Sequence, residues 1–86
     1  LLVVECVPRE LGRQLTETVP VPVIGIGAGV DTDGQVLVMH DMLGLSARPP
    51  RFVRNFMSEA DSIQAAFGAY VDAVRGRRFP TDEESF

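Results

Sequence analysis

Three short apolar runs crowded into the first forty residues constrain this chain more than any other feature: residues 1–7 (LLVVECV), 21–26 (VPVIGI) and 35–39 (QVLVM). Each is rich in β-branched residues and nearly continuous in hydrophobicity, the pattern of a strand covered on both faces in a parallel sheet. Only Glu5 interrupts the first run. Pro8 suits the first turn of a helix, and Leu11 and Leu15 recur four apart, so a helix is expected over residues 9–18. The second run enters a glycine-rich turn, Gly27-Ala28-Gly29, and a polar loop, Asp31-Thr32-Asp33-Gly34. The third ends at His40-Asp41. Strands alternating with helices imply βαβ units and a parallel sheet, an α/β architecture.

Beyond Pro49-Pro50, the residues Phe52, Val53 and Phe56 predict a brief helix. Ser58 with Asp61 three residues on resembles a capping box, and Ile63, Phe67, Tyr70, Val71 and Val74 form one apolar stripe at helical spacing. That helix is expected to stop near Gly76, with Arg75, Arg77 and Arg78 at its negative end. Residues 80–86 read as a polar tail, and Asp82-Glu83-Glu84 as a solvated acidic run.

Neither a linker nor a low-complexity tract divides the sequence, so residues 1–86 are assigned to a single region. Three parallel strands leave two open edges, and edges as apolar as these invite mispairing. An eight-stranded α/β barrel typically needs about 250 residues, and the chain has 86. The expectation is therefore a portion of a barrel, not a complete domain, with the other strands supplied by missing sequence or another chain. The sequence opens directly in the first run, which favours a fragment or a processed subunit. Glu5 ends that run far short of the ~20 residues a membrane span requires.

Charge narrows the functional classes. Twelve acidic residues against eight basic ones give a formal net charge of −4, opposite in sign to a nucleic-acid footprint. All the basic residues are Arg, so no Lys of this chain can form a Schiff base. Cys6 has no second Cys to pair with, which favours a reducing cytoplasmic compartment.

Among candidate chemical groups, Glu5 lies near the C-terminal end of an otherwise apolar strand, the face where α/β barrels place catalysis. Desolvation there would make a carboxylate a useful proton acceptor; the alternative is a structural Glu paired with an Arg or a backbone N–H. Gly25 to Gly29 lacks the spacing of a dinucleotide fingerprint and reads better as a tight turn. The Asp31 loop resembles the opening of a calcium loop, but Val36, Val38 and His40 stand where oxygen ligands are needed. His40-Asp41 reads as a loop-fixing hydrogen bond rather than a catalytic or metal pair.

Taken in order, ECVP, PVIGIGAG and DGQVLVMHDMLG, with PRFVRNF and the ending FPTDEESF, resemble the C-terminal third of the ketopantoate hydroxymethyltransferase family. The resemblance implies a (β/α)8 TIM barrel in which the three runs are strands six to eight. It also implies transfer of a one-carbon unit from 5,10-methylenetetrahydrofolate to 3-methyl-2-oxobutanoate, giving ketopantoate for pantothenate and coenzyme A synthesis. On this resemblance Glu5 is the catalytic base or its close assistant. Ile26, Val36 and Val38, at alternating inward positions, line the pocket around the substrate's branched end, unless they are ordinary barrel core. Mg²⁺ is implied as well, with its ligands and an active-site Lys on strands outside this chain; no metal ligand is assigned here. A homo-oligomer, commonly a decamer, is implied. Glu84 departs from the family's usual His before the final Ser-Phe. Alone, the chain is expected to be inactive; the rival expectation is a non-catalytic piece that docks on a partner chain. A phosphoenolpyruvate mutase relative would share the architecture but not these motifs.

Overall fold

A computed structural model describes residues 1–86. The elements are β1 (Leu2–Glu5), α1 (Arg9–Thr18), β2 (Val23–Ile26), β3 (Gly34–Gln35), α2 (Met39–Met42), α3 (Ile63–Arg75) and a final 3-10 turn, Asp82–Glu84. The three strands form one parallel sheet in the order β1-β2-β3. The expected α/β class and parallel sheet are thus present.

Pro8 precedes α1 in extended geometry, and Arg13 bridges Glu10 and Glu17 along its outer side. Pro20 disfavours helix at Val19, where α1 ends. Contact with the sheet runs not through Leu11, which is exposed, but through buried Gly12. A Cβ at Gly12 would stand 2.4 Å from the Ala28 carbonyl oxygen, so only glycine lets the helix backbone approach the exit of β2 this closely.

The third strand is shorter than its apolar sequence suggests. Ladder pairing covers Gly34 and Gln35 alone, and the chain runs on unpaired until Met39 enters α2. The cause lies in the neighbour: β2 ends at Ile26 and swings away at Gly27, φ 66°, so Leu37 has no strand beside it. Val36 N–H, donating to the Gly25 carbonyl at 3.0 Å, is the last link.

No helix forms around Phe52–Phe56. Their four-residue spacing serves two separate sites: Phe52 packs on Gly27 and Phe86, and Phe56 enters the core beneath α3. The cap of α3 is Ser62 rather than the Ser58 pattern; its hydroxyl accepts from Ala65 N–H at 3.0 Å, while Ser58 donates to the Asn55 carbonyl.

The core comprises Met42, Phe56, Ala66, Ala73 and Phe79, with Leu37, Tyr70 and Val74 against it. Phe56, Tyr70 and Phe79 meet edge to face with ring centroids 5.3–6.0 Å apart. The face of α3 carrying Ala66 and Ala73 is therefore the buried one, while Ile63, Phe67 and Val71 of the expected stripe are exposed. The helix stops at Gly76 as expected, but the left-handed residue that follows is Arg77, φ 55°.

The tail is solvated only in part: Asp82 and Glu83 are exposed, but Glu84 is half-buried. Pro80 and Ser85 are buried and Thr81 caps the 3-10 turn through Glu84. Glu84 binds Arg54 through both carboxylate oxygens, at 2.7 and 3.0 Å. The Arg54 guanidinium also lies over the Phe56 and Phe79 rings.

Candidate active site

Glu5 and Ile26 are register partners across β1 and β2. Side chains of register partners in neighbouring strands point to the same side of a sheet. Along β2, Val23 and Gly25 are buried, and Ile24 and Ile26 only half-buried. The buried side is covered by Ala28 and Thr32, both within 3.2 Å of where a Gly25 Cβ would stand. Val3 and Glu5 share the other side with Ile24 and Ile26, and both are exposed. Beyond β3, Leu37 packs against the core, while Val36 and Val38 on either side of it are exposed.

Of the four residues expected to form the site, Glu5 and Ile26 are thus directly adjacent on one sheet face, whereas Val36 and Val38 lie beyond the paired residues of β3. Glu5 is exposed within this chain, not buried as its apolar neighbours suggested. It is also not a structural ion-pair partner: the arginines that form ion pairs, Arg9, Arg13 and Arg54, bind other carboxylates.

The exit of β1 is conformationally unusual. Cys6, next after Glu5, holds φ at 55°, and its N–H donates to the Ile26 carbonyl at 2.9 Å. A non-glycine residue in the left-handed region costs on the order of 1–3 kcal/mol, a strain that persists only where surrounding contacts impose it. The exit of β2 is shaped by packing. Gly27 lies under the Phe52 ring, and Gly29, φ 84°, lies under the stem of Arg9. The glycine-rich turn is therefore filled by side chains of this chain, in keeping with a tight turn.

The loop beyond the third run is fixed differently from expectation: Ser46 donates to the Asp41 carboxylate and His40 contributes its backbone carbonyl, its imidazole remaining exposed. No three His, Cys, Asp or Glu side chains converge as a metal site requires. The residues of this chain do not by themselves fit Mg²⁺. The larger concavity, about 650 Å³, lies between the Arg54–Asp61 segment and α3 and includes none of the four candidate residues.

Sequence reasoning missed a charged junction beside these exits. Arg9 Nε binds Asp31 Oδ2 at 2.7 Å, and its Nη1 binds Asp82 Oδ1 at 2.6 Å. Arg9 holds the Asp31 carboxyl below the usual carboxylate range, chiefly by hydrogen bonding and against a smaller opposing effect of burial. No short-range pattern announces this junction, because its members are far apart in the chain.

A family model described as ketopantoate hydroxymethyltransferase matches residues 1–82. Among curated relatives, a 3-methyl-2-oxobutanoate hydroxymethyltransferase of Chromohalobacter salexigens is 58% identical over 87 aligned positions, covering all of this chain and 33% of the relative. Relatives of the same description in Hahella chejuensis and Alcanivorax borkumensis are 59% and 60% identical over the same share. The chain spans about a third of the length of the curated relatives it matches.

Proposed function

Because this chain belongs to the ketopantoate hydroxymethyltransferase family, we propose that it forms strands six to eight of a (β/α)8 barrel and supplies the general base of the family's one-carbon transfer. The observation that carries this reading is the pairing of Glu5 with Ile26 on a sheet face where Val3 and Glu5 are exposed and Ile26 is half-buried. In a closed barrel that face would become the lumen, and its C-terminal end the reaction chamber.

The proposed substrate is 3-methyl-2-oxobutanoate, whose C3 hydrogen is acidified by the adjacent ketone. The Glu5 carboxylate accepts that proton, and the electron pair of the C–H bond becomes an enolate. C3 then bonds to the methylene carbon of 5,10-methylenetetrahydrofolate. Both C–N bonds of that methylene carbon break, one as C3 bonds to it and the other as water supplies the hydroxyl group of ketopantoate, and the two folate nitrogens take up the proton held by Glu5 and the one released by water. Ile26, Val36 and Val38 offer apolar surface to the substrate's two methyl groups, while Glu5 sits at the edge of that surface within reach of the carbon between them. Mg²⁺ would be held by residues elsewhere in the enzyme.

No helix is long and apolar enough to cross a membrane; we place the enzyme in the cytoplasm, as a homo-oligomer. In the complete enzyme, Glu5→Gln is expected to lower turnover by about 10²–10⁴-fold, the range for loss of a general base. Unchanged turnover would remove Glu5 from the chemistry.

A second reading, a docking piece without catalytic function, draws on the apolar exposure of Leu1, Val3, Val38 and Met39. The two readings separate when the 86-residue chain is added to the remainder of the enzyme. Activity restored by the natural chain and not by Glu5→Gln supports catalysis; restoration by both supports docking alone. The chain without that remainder is expected to be inactive.

A further inference from the structure

We propose that Arg9 is a positioning residue for the Glu5 site, clamping the two strand exits that carry Glu5 and Ile26 to the C-terminal segment; this inference rests on the reading of Glu5 as the base. Three segments meet at this one side chain. Arg9 opens α1 only four residues after Glu5, so its backbone is coupled to the strained exit at Cys6. Its stem lies against Gly29, where an added Cβ would come within 2.6–2.9 Å of the Arg9 Cα, Cβ and Cγ. Its guanidinium reaches Asp31 in the loop that follows β2, at 2.7 Å, and Asp82 in the tail, at 2.6 Å. Its backbone N–H donates to the Phe86 carbonyl at 3.4 Å.

The last ladder link between the exits is Cys6 N–H to the Ile26 carbonyl. Beyond it both chains diverge, β1 toward α1 and β2 through Gly27 to Gly29. Arg9 rejoins them one turn later. The planar guanidinium directs separate N–H groups at two carboxylates in fixed geometry, which a lysine ammonium does not do. The Phe86 ring, tilted at 58° to Phe52 with centroids 6.2 Å apart and close to Gly27, presses the same tail onto the β2 exit. The clamp therefore sets where Glu5 stands relative to Ile26, and hence to a substrate resting on Ile26. Arg9 itself touches no reacting atom in this proposal.

The test is steady-state kinetics in the complete enzyme, with thermal unfolding measured alongside. A misplacement of order 1 Å can cost up to about 10²-fold in rate. Arg9→Gln is expected to lower kcat about tenfold while KM for 3-methyl-2-oxobutanoate changes less than about twofold, the signature of lost orientation rather than lost binding. Arg9→Lys, retaining one of the two charge contacts, is expected to recover kcat to within about threefold of the natural enzyme. Asp31→Asn and Asp82→Asn each reproduce part of the loss and add nothing to Arg9→Gln, as members of one network do. Natural kcat in Arg9→Gln overturns the inference. So does a parallel fall of kcat and thermal midpoint that Arg9→Lys does not reverse. Glu5→Gln, assayed in the same series, keeps the two readings apart. Full turnover there removes the base assignment, whereas lost turnover there with natural kcat in Arg9→Gln removes only the clamp.

Discussion

The layer under α3 and the three-stranded sheet bury their apolar residues by opposite means. Beneath α3, Met42, Phe56, Ala66, Ala73 and Phe79 close over one another, with three aromatic rings interlocked edge to face and Arg54 laid across two of them. In the sheet and the segments that flank it, Val23 and Ala28 are fully buried, yet Leu1, Val3, Val36 and Val38 remain open to water. A few large rings can complete a small core from within one segment. A parallel sheet cannot, because it needs a layer on each face and strands at each edge. The α3 layer thus closes over its own core, whereas one face of the sheet keeps apolar side chains exposed.

Substitutions in the two regions should break in different ways. The largest effect is expected at Phe79, 2% exposed at the centre of the aromatic cluster: Phe79→Ala should cost about 3–5 kcal/mol in denaturant unfolding. A cost below ~1 kcal/mol would mean that the α3 layer is not the self-sufficient half. On the covered side of the sheet, Gly12→Ala drives a methyl into the Ala28 carbonyl and should cost about 1–3 kcal/mol, despite alanine's better helix propensity.

Glu84 gives a smaller and pH-dependent effect. Burial pushes its carboxyl up, but Arg54 and the Thr81 N–H together outweigh burial and hold it below the ordinary value of 4.5. A depressed carboxyl contributes stability that is present above the unfolded value and lost as pH falls through the folded one. Glu84→Gln should therefore cost about 1 kcal/mol at neutral pH, limited by the partial exposure of Arg54, and the difference should vanish under acid. Equal destabilisation at every pH would show that packing, not charge, holds the tail. The smallest effect belongs to the open face. Val3→Ser should shift the stability of the 86-residue chain by less than about 0.5 kcal/mol, because Val3 is 55% exposed. In the complete enzyme the same change should cost about 1.5–3 kcal/mol. Equal small costs in both would mean that this face stays uncovered, contrary to its proposed place in a lumen.

The sequence made the two regions legible to different depths. β1 and β2 were readable because continuous β-branched runs suit a sheet buried by other elements, and α3 because five apolar residues repeat at helical spacing. The third strand was read too long, since apolar content says nothing of where the neighbouring strand turns away. Phe52 and Phe56 suggested a helix because spacing alone cannot reveal that two rings serve two sites. Glu84, unexplained as a departure from the family ending, finds its partner in Arg54 thirty residues earlier. At the candidate site, the sequence showed Glu5 at a strand end, but only the register places Ile26 beside it.

By itself the sequence determined the α/β class, the parallel sense of the strands and the position of Glu5 at a strand exit. These follow from periodicities and propensities that act over a few residues. Only the tertiary structure decided that one sheet face stays open and that Arg9 gathers Asp31 and Asp82, partners 22 and 73 residues away. The reason is physical: an ion pair depends on distance in space, and chain separation of that length leaves no periodic trace of it.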